Sequence, residues 1–207
     1  KIQNSKFKIQ NSKFKISCDM LLHDKLKSYR LILASQSPRR RQLLADAGIE
    51  YTLAPRFECE ESFSADMPAV EVAGYLSRLK SEAYPEPLAE QDILLTADTV
   101  VIAANRVLGK PADREEAIAM ISLLSGCEHE VVTGVTLRTA TRTHSFSVVS
   151  KVRFRTLDKE EIEYYVDQYR PYDKAGAYGI QEWIGYVGIE GLEGSFYNVM
   201  GLPVQKL

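Results

Sequence analysis

The sequence has little cysteine, no long apolar run and no excess of charge of one sign. Its three cysteines, Cys18, Cys59 and Cys127, are far apart and odd in number, so neither a disulfide framework nor zinc spacing is present. This usage is typical of a reducing compartment, and we expect a cytoplasmic protein. No stretch approaches the roughly 20 apolar residues of a membrane span, and the N-terminal region lacks the apolar core of a secretory signal.

The charge balance also excludes whole classes of partner. The 26 Lys and Arg residues and 28 Asp and Glu residues give a formal net charge of −2, whereas a nucleic-acid-binding surface usually needs a basic excess. We therefore expect no nucleic-acid partner and no membrane partner, and positive charge matters only where it is local. The glycine and lysine spacing of a P-loop is absent as well, which disfavours a P-loop kinase or ATPase.

The N-terminus is repetitive. Residues 1–14 contain the heptad KIQNSKF twice, and a third copy begins at Lys15. We interpret residues 1–19 as a tail, non-native or disordered, ahead of a natural start at Met20. A membrane-touching basic segment is the alternative. On this interpretation residues 20–207 form a single domain.

The stretch LILASQSPRRRQLL (31–44) predicts a buried strand, a tight loop and a helix N-terminus. Ser37 followed by Pro38 is typical of a hydroxyl N-cap with proline at the first helical position. Arginines at 39–41 are unusual there, because the partial positive charge of a helix N-terminus favours acidic residues. They make sense if the loop binds phosphate through free N–H groups, guanidinium groups and the hydroxyls of Ser35 and Ser37. A solvated basic helix face is the alternative.

Asp98 interrupts the apolar strand pattern ILLTADTVVIA (93–103). A carboxylate in a buried strand is costly unless it is paired or binds a metal. We therefore expect Asp98 to face either a structural cation or a functional site, and Thr96 and Thr99 beside it favour a site.

Two further segments add candidate ligand contacts. In GKP (109–111), Lys110 lies on a rigid turn that suits a point-charge contact with phosphate, although lysines are common in surface turns. In DKAGAYGIQ (173–181), small residues let the backbone approach a ligand closely. Lys174 supplies charge there, and Gln181 has an amide that could recognise a base edge. A glycine-rich loop that only turns the chain is the alternative.

Helical and strand patterns mix without strict alternation, which predicts an α/β fold with a mixed sheet. We expect helices at about 66–84, 113–126 and 158–170, and strands at about 31–34, 50–54, 93–104, 107–108, 131–137 and 144–155.

Together these residues indicate metal-assisted attack of water on a phosphoanhydride. Asp98, with Glu58, Glu60 or Glu61, offers carboxylates to a hard divalent cation, and Asp98 could also orient or deprotonate the water. No Ser–His or Cys–His pair points to a nucleophile. The cations available for a polyphosphate chain are Arg39, Arg40, Lys80, Lys110 and Lys174.

Six ordered blocks resemble the Maf family of nucleoside triphosphate pyrophosphatases, between about residue 30 and residue 203. The resemblance implies an elongated mixed sheet with flanking helices and a central cleft between two lobes, similar to the inosine-triphosphate pyrophosphatases. It also implies that residues 20–207 are a single Maf-like catalytic domain. The blocks are ASQSPRR (34–40), LTADTVV (95–101), LGKP (108–111), LSGCEHEVVTGV (124–135), DKAGAYGIQ (173–181) and FYNVMGLP (196–203).

The same resemblance implies hydrolysis of a nucleoside triphosphate to the monophosphate and pyrophosphate, with Mg²⁺ or Mn²⁺, in the cytoplasm. AGAYGIQ (175–181) resembles the branch acting on dTTP and UTP, and modified pyrimidine triphosphates are further candidate substrates. The residues implied are Asp98 as the catalytic residue, Ser35, Arg39, Arg40, Lys80 and Lys110 for substrate binding, and Arg39, Thr99 and Gln181 for specificity. The residue types alone add Lys174 for substrate binding, and Asp98 and Glu61 for the metal.

Two alternatives to this function stay open, and one residue departs from the family pattern. The substrate could be 7-methylguanosine triphosphate or another purine triphosphate, or the chain could be a non-catalytic, nucleotide-binding regulator of septum formation. A homodimer is compatible with the sequence, which does not fix the oligomeric state.

Glu182 stands where the family usually has glycine after Gln181, so we expect a charge near the base pocket.

Overall fold

The computed structural model describes residues 22–207, so the expectations for the tail at 1–19 and for a start at Met20 lie outside the described residues. The described chain forms a mixed seven-stranded sheet flanked by helices, which confirms the predicted α/β class. Within residues 22–207, no helix is long and apolar enough to cross a membrane.

The strands are β1 (Arg30–Leu33), β2 (Thr52–Leu53), β3 (Asp92–Ala103), β4 (Arg106–Leu108), β5 (Glu128–Arg138), β6 (Thr143–Phe154) and β7 (Ile189–Glu193). The helices are α1 (Leu22–Leu26), α2 (Pro38–Asp46), α3 (Ala69–Ala83), α4 (Arg114–Leu124), α5 (Lys159–Tyr169), α6 (Trp183–Gly188) and α7 (Phe196–Met200). Short 3-10 turns occupy Ala175–Ala177 and Val204–Lys206.

The sheet has a gap beside its central strand. The strand order is β2-β1-β3-β5-β6-β7, and β4 also pairs with β3. Parallel pairing of β1 with β3 ends at Leu33 and Leu95, and antiparallel pairing of β4 with β3 begins at Val101 and Leu108. Residues 96–100 of β3 therefore have a neighbouring strand only on the β5 side.

Helices cover both faces of the sheet. On one face, α3 packs Val72 and Leu76 against Val100 of β3. Because side chains alternate along a strand, Val101 lies on the opposite face, where it packs with residues of α4 and α5. Helix α2 covers the other end of that second face through Leu43 and Leu44.

The helix starts were predicted with mixed success. The predicted starts near 113 and 158 are confirmed: Asp158 and Glu161 form a capping box at the start of α5, and Asp113 accepts a hydrogen bond from the Glu116 N–H at the start of α4. Ser37 does occupy the N-cap position of α2, but its hydroxyl makes no capping hydrogen bond. That part of the prediction is wrong, and the Ser37 side chain does not satisfy the first N–H groups of α2.

Candidate functional site

A cavity of about 500 Å³ lies beside the gap in the sheet, within the size range of small-molecule sites. It is bordered by the N-terminus of α2, the C-terminal part of α3, the middle of β3, the turn at Lys110, the loop at 173–181 and the end of α7. The structure brings together most residues that the sequence singled out, but Glu58 and Glu60, the alternatives to Glu61, do not line the cavity. The residues that line it are Ser35, Arg39, Arg40, Glu61, Lys80, Asp98, Thr99, Lys110, Lys174 and Gln181.

Asp98 lies at the centre of the gap and forms an ion pair with Lys80. Its side chain is 16% exposed, and its Oδ1 lies 3.2 Å from the Nζ of Lys80. Asp98 is therefore not buried in the sheet as the apolar strand pattern suggested, because the missing neighbouring strand opens it to the cavity. The two alternatives left by the sequence both hold: Asp98 has a structural cation and also faces the cavity.

Glu61 reaches the same ammonium group from the irregular segment before α3. Its Oε2 lies 2.8 Å from the Nζ of Lys80, so Lys80 bridges two carboxylates. Among residues 22–207, no group of three or more His, Cys, Asp or Glu side chains could hold a metal ion. Two carboxylates still suit a hard divalent cation such as Mg²⁺, which usually takes one or two protein carboxylates and completes its shell with phosphate and water oxygens.

Arg40 is buried and ties three parts of the site together. Its Nε donates to the Gly201 carbonyl at 2.8 Å, its Nη1 to the Ser35 Oγ at 3.1 Å and its Nη2 to the Thr99 Oγ1 at 3.1 Å. Burial lowers the pKa of Arg40, and the charge of Asp98 opposes that shift. The guanidinium therefore joins the tip of α2 to β3 and α7, and only its remaining N–H groups are available to a ligand.

Arg39 and Lys110 are more accessible than Arg40. The Nη1 of Arg39 lies 3.3 Å from the Oδ2 of Asp173, so an ion pair joins the tip of α2 to the loop at 173–181. Lys110 is exposed at the edge of the cavity. Both are placed where an anionic ligand could contact them.

Lys174 is buried and has two acidic partners. Its Nζ lies 2.7 Å from the Oδ1 of Asp173 and 3.1 Å from the Oε1 of Glu182. Its charge is therefore compensated within the protein, whereas the sequence predicted that this charge would bind phosphate. Glu182 is likewise not a free charge in the pocket.

Gln181 lines the cavity. Its Oε1 is buried and makes no hydrogen bond to the described part of the chain. A buried acceptor without a partner is costly, and a ligand in the cavity could donate to it only if the amide turns towards the cavity.

Other side chains near the site take roles that local sequence does not indicate. Tyr186 and Tyr197 are 83% and 53% exposed. His129 lies in β5 and is buried, and its Nε2 is 2.8 Å from the hydroxyl of Tyr178. Asn198, not singled out from sequence, donates from its buried amide to the Val131 carbonyl and the Ser150 hydroxyl, which attaches α7 to the sheet.

The fold and the cavity define a class: a mixed α/β protein with a cleft where cationic side chains and a carboxylate pair face each other. The chain belongs to the Maf family, since the model of the Maf-like proteins matches residues 30–207.

Similar proteins cover nearly all of the described chain. A Parabacteroides distasonis protein is 51% identical over 184 residues, which span 89% of this chain and 95% of that protein. A Bacteroides thetaiotaomicron protein is 50% identical over 182 residues, 88% of this chain and 94% of that one. A Porphyromonas gingivalis protein is 52% identical over 186 residues, which span 89% of this chain and 94% of that protein. All three are named dTTP/UTP pyrophosphatase.

A solved structure, a nucleoside-triphosphatase (dITP/XTP pyrophosphatase) from Mycobacterium abscessus, matches 86% of this chain and 91% of its own chain. It is 14% identical, with a TM-score of 0.42. A likeness at this level carries no argument, and the fold class rests on the sheet and helices described above.

Proposed function

We propose that the chain hydrolyses dTTP and UTP to the nucleoside monophosphate and pyrophosphate. One relationship supports this above all: the arginine-rich tip of α2 and Asp98 border the same cavity as near neighbours. Arg40 and Asp98 both line the cavity, and Asp98 is close enough for its charge to act on the pKa of Arg40, opposing the lowering by burial. A triphosphate lying along the tip of α2 would therefore place a phosphoanhydride close to the carboxylate.

In this proposal the cations bind and orient the phosphates. Arg39, Lys110 and the N–H groups at the start of α2 contact phosphate oxygens, Ser35 offers its hydroxyl, and Arg40 holds the tip of α2 in place. Arg39 exchanges its contact with Asp173 for a phosphate. Lys174, with two acidic partners, acts on the substrate through the loop that it holds.

Asp98 orients the attacking water and accepts its proton. Lys80 positions the two carboxylates and adds positive charge close to the phosphates. Asp98 and Glu61 would hold the divalent cation, Mg²⁺ or Mn²⁺, whose charge would offset that of the phosphates.

We assign base recognition to the part of the cavity that Gln181 lines. Uracil and thymine carry a ring N–H donor that could bond the unpartnered Oε1 of Gln181 once the amide has turned towards the cavity. The hydroxyl of Thr99 is already bonded to Arg40 and, at 2.9 Å, to Thr133. Thr99 therefore influences specificity by fixing Arg40 and the adjacent part of the cavity.

The test is a panel of nucleoside triphosphates with separate detection of pyrophosphate and orthophosphate. We expect pyrophosphate from dTTP and UTP, and no turnover after removal of divalent metal with a chelator. Faster turnover of 7-methylguanosine triphosphate or another purine triphosphate would overturn the choice of base. Tight nucleotide binding without turnover in any metal would instead support a non-catalytic regulator.

We also propose that the protein acts in the cytoplasm. Cys59 and Cys127, the two cysteines within residues 22–207, are free thiols, as expected in a reducing compartment. A homodimer stays a prediction, which sedimentation equilibrium measures directly.

A further inference from the structure

The wall of the cavity formed by residues 174–182 is held from behind by a buried polar cluster. Tyr165 of α5 is fully buried, and its hydroxyl accepts a hydrogen bond of 3.0 Å from the Gly179 N–H. The same hydroxyl donates to the Oε2 of Glu182. Burial raises the pKa of Tyr165, so the phenol keeps the proton that this second bond requires.

Glu182 joins the two ends of this wall. Its Oε1 lies 3.1 Å from the Nζ of Lys174, at the start of the segment, while its Oε2 contacts Tyr165 behind the middle. The carboxylate also packs directly under Gly179, because a Cβ added at Gly179 would lie 2.8 Å from the Glu182 Cδ. The Glu182 carboxylate thus pairs with the lysine, accepts a hydrogen bond from the phenol and packs against the glycine backbone.

The residue between Gly179 and Glu182 that faces the cavity is Gln181. Within the segment, the Glu182 N–H donates to the Gly179 carbonyl at 3.0 Å and the Ala177 N–H to the Lys174 carbonyl at 3.1 Å. Ala177, Tyr178 and Ile180 before Gln181 pack in the core, and after it Glu182 is held by Tyr165 and Lys174. The position of the Gln181 amide therefore depends in part on the polar contacts of Glu182.

We propose that Glu182 is a positioning residue for base recognition: with Tyr165 and Lys174 it fixes the wall 174–182 so that the Gln181 amide meets the base at one defined place. This inference rests on the proposed function, since it assigns a role within the same cavity. It also explains how a carboxylate next to the base pocket is tolerated: its charge is compensated by that of Lys174.

The test compares Glu182→Gln and Tyr165→Phe with the unmodified protein. Glu182→Gln keeps the shape but loses the charge facing Lys174, and Tyr165→Phe loses both hydrogen bonds. We expect each variant to lower the ratio of kcat/KM for dTTP to that for dATP by about tenfold, mainly through a higher KM for dTTP. The effects should be strongly non-additive in the double variant, because both changes release the same wall.

The matched control is Glu161→Gln. Glu161 is another partly buried, ion-paired carboxylate, on the same helix as Tyr165, and its Oε1 lies 2.6 Å from the Nη2 of Arg155. It does not line the cavity, so we expect no change in the dTTP to dATP ratio. An equal loss of discrimination in Glu161→Gln, or an unchanged ratio in folded Glu182→Gln, would overturn the proposal.

A second measurement does not depend on turnover. Amide exchange at Gly179 in the nucleotide-free protein should accelerate by about tenfold in both wall variants and stay unchanged in Glu161→Gln. If the unmodified protein hydrolyses no triphosphate, the proposed function fails. In that case the role of Glu182 is tested separately, by amide exchange at Gly179 and by the relative binding affinities of dTTP and dATP. If neither changes in Glu182→Gln, the proposed role of Glu182 is contradicted.

Discussion

Asp98 of β3 and Gly134 of β5 are direct partners across the two strands, and the absence of a side chain at Gly134 sets how closely α3 approaches Asp98. A Cβ at Gly134 would lie 2.2 Å from the Ala73 carbonyl oxygen of α3. The helix backbone therefore rests on the sheet beside Asp98, and the same helix carries Lys80 to within 3.2 Å of that carboxylate.

Gly134→Ala should be strongly destabilising, because backbone atoms of α3 cannot move aside as a side chain can. We expect the melting temperature to fall by about 5–10 °C, or soluble protein to be lost. Thermal melts check this. The control is Gly109→Ala, since nothing lies within 4 Å of a Cβ there; a comparable loss in both variants would mean that close helix packing is not the cause.

Asp98→Asn should remove the group that we propose orients and deprotonates the water, while keeping the shape of the side chain. We expect kcat to fall on the order of 10²-fold, with a smaller change in KM. Steady-state kinetics on dTTP measure both parameters. Asp167→Asn is the control, because Asp167 pairs with Arg114 at 2.6 Å on the surface, and full activity in Asp98→Asn would remove Asp98 from the catalytic role.

Lys80→Met should strengthen metal binding by the nucleotide-free protein. Lys80 now lies between Glu61 and Asp98, so a cation at these carboxylates competes with the ammonium group. We expect Mn²⁺ affinity to rise by about tenfold, measured by the loss of the free Mn²⁺ electron paramagnetic resonance signal. Adding Glu61→Gln should reverse the gain, and equal affinities in all three proteins would argue against a metal at this pair.

His129 should make folding stability depend on pH below neutrality. Burial lowers the pKa of His129 to about 4, so the unfolded chain takes up a proton below about pH 6.5 before the folded protein does. The stability contributed by the neutral ring is complete above pH 6.5 and is lost as the pH falls towards 4, by up to about 3 kcal/mol.

His129→Gln cannot be protonated in this range and keeps a hydrogen-bonding group near Tyr178. Denaturant unfolding at pH 8, 6, 5 and 4 should show the unmodified protein losing stability faster than the variant. Parallel profiles would mean that His129 does not bind a proton on unfolding.

Local patterns predicted most of the fold. Alternation and β-branched residues identified the hairpin of β5 and β6, and capping residues placed the starts of α4 and α5. The elements from α6 to α7 were not predicted. β7 contains a glycine and two glutamates in five residues, so it lacks an apolar pattern, and only pairing with β6 makes it a strand.

The candidate site was predictable where a residue type was unusual in its local context, as for Asp98 in an apolar strand and the arginines at the start of α2. It was not predictable where the role depends on distant partners. The ion pairs of Lys174 and the three bonds of Arg40 join segments far apart in sequence, and no local pattern indicates them. The apparent burial of Asp98 was misjudged because sequence shows a strand but not which of its edges lacks a neighbour.

The gap along residues 96–100 of β3 has a consequence for solubility. An unpaired stretch of strand in the middle of a protein can recruit a strand from another molecule and start aggregation. Here the stretch is short and ends at β1 on one side and β4 on the other. It carries the charge of Asp98, and Lys80 lies beside it. The interruption that borders the cavity is thus too short and too charged to template a foreign strand.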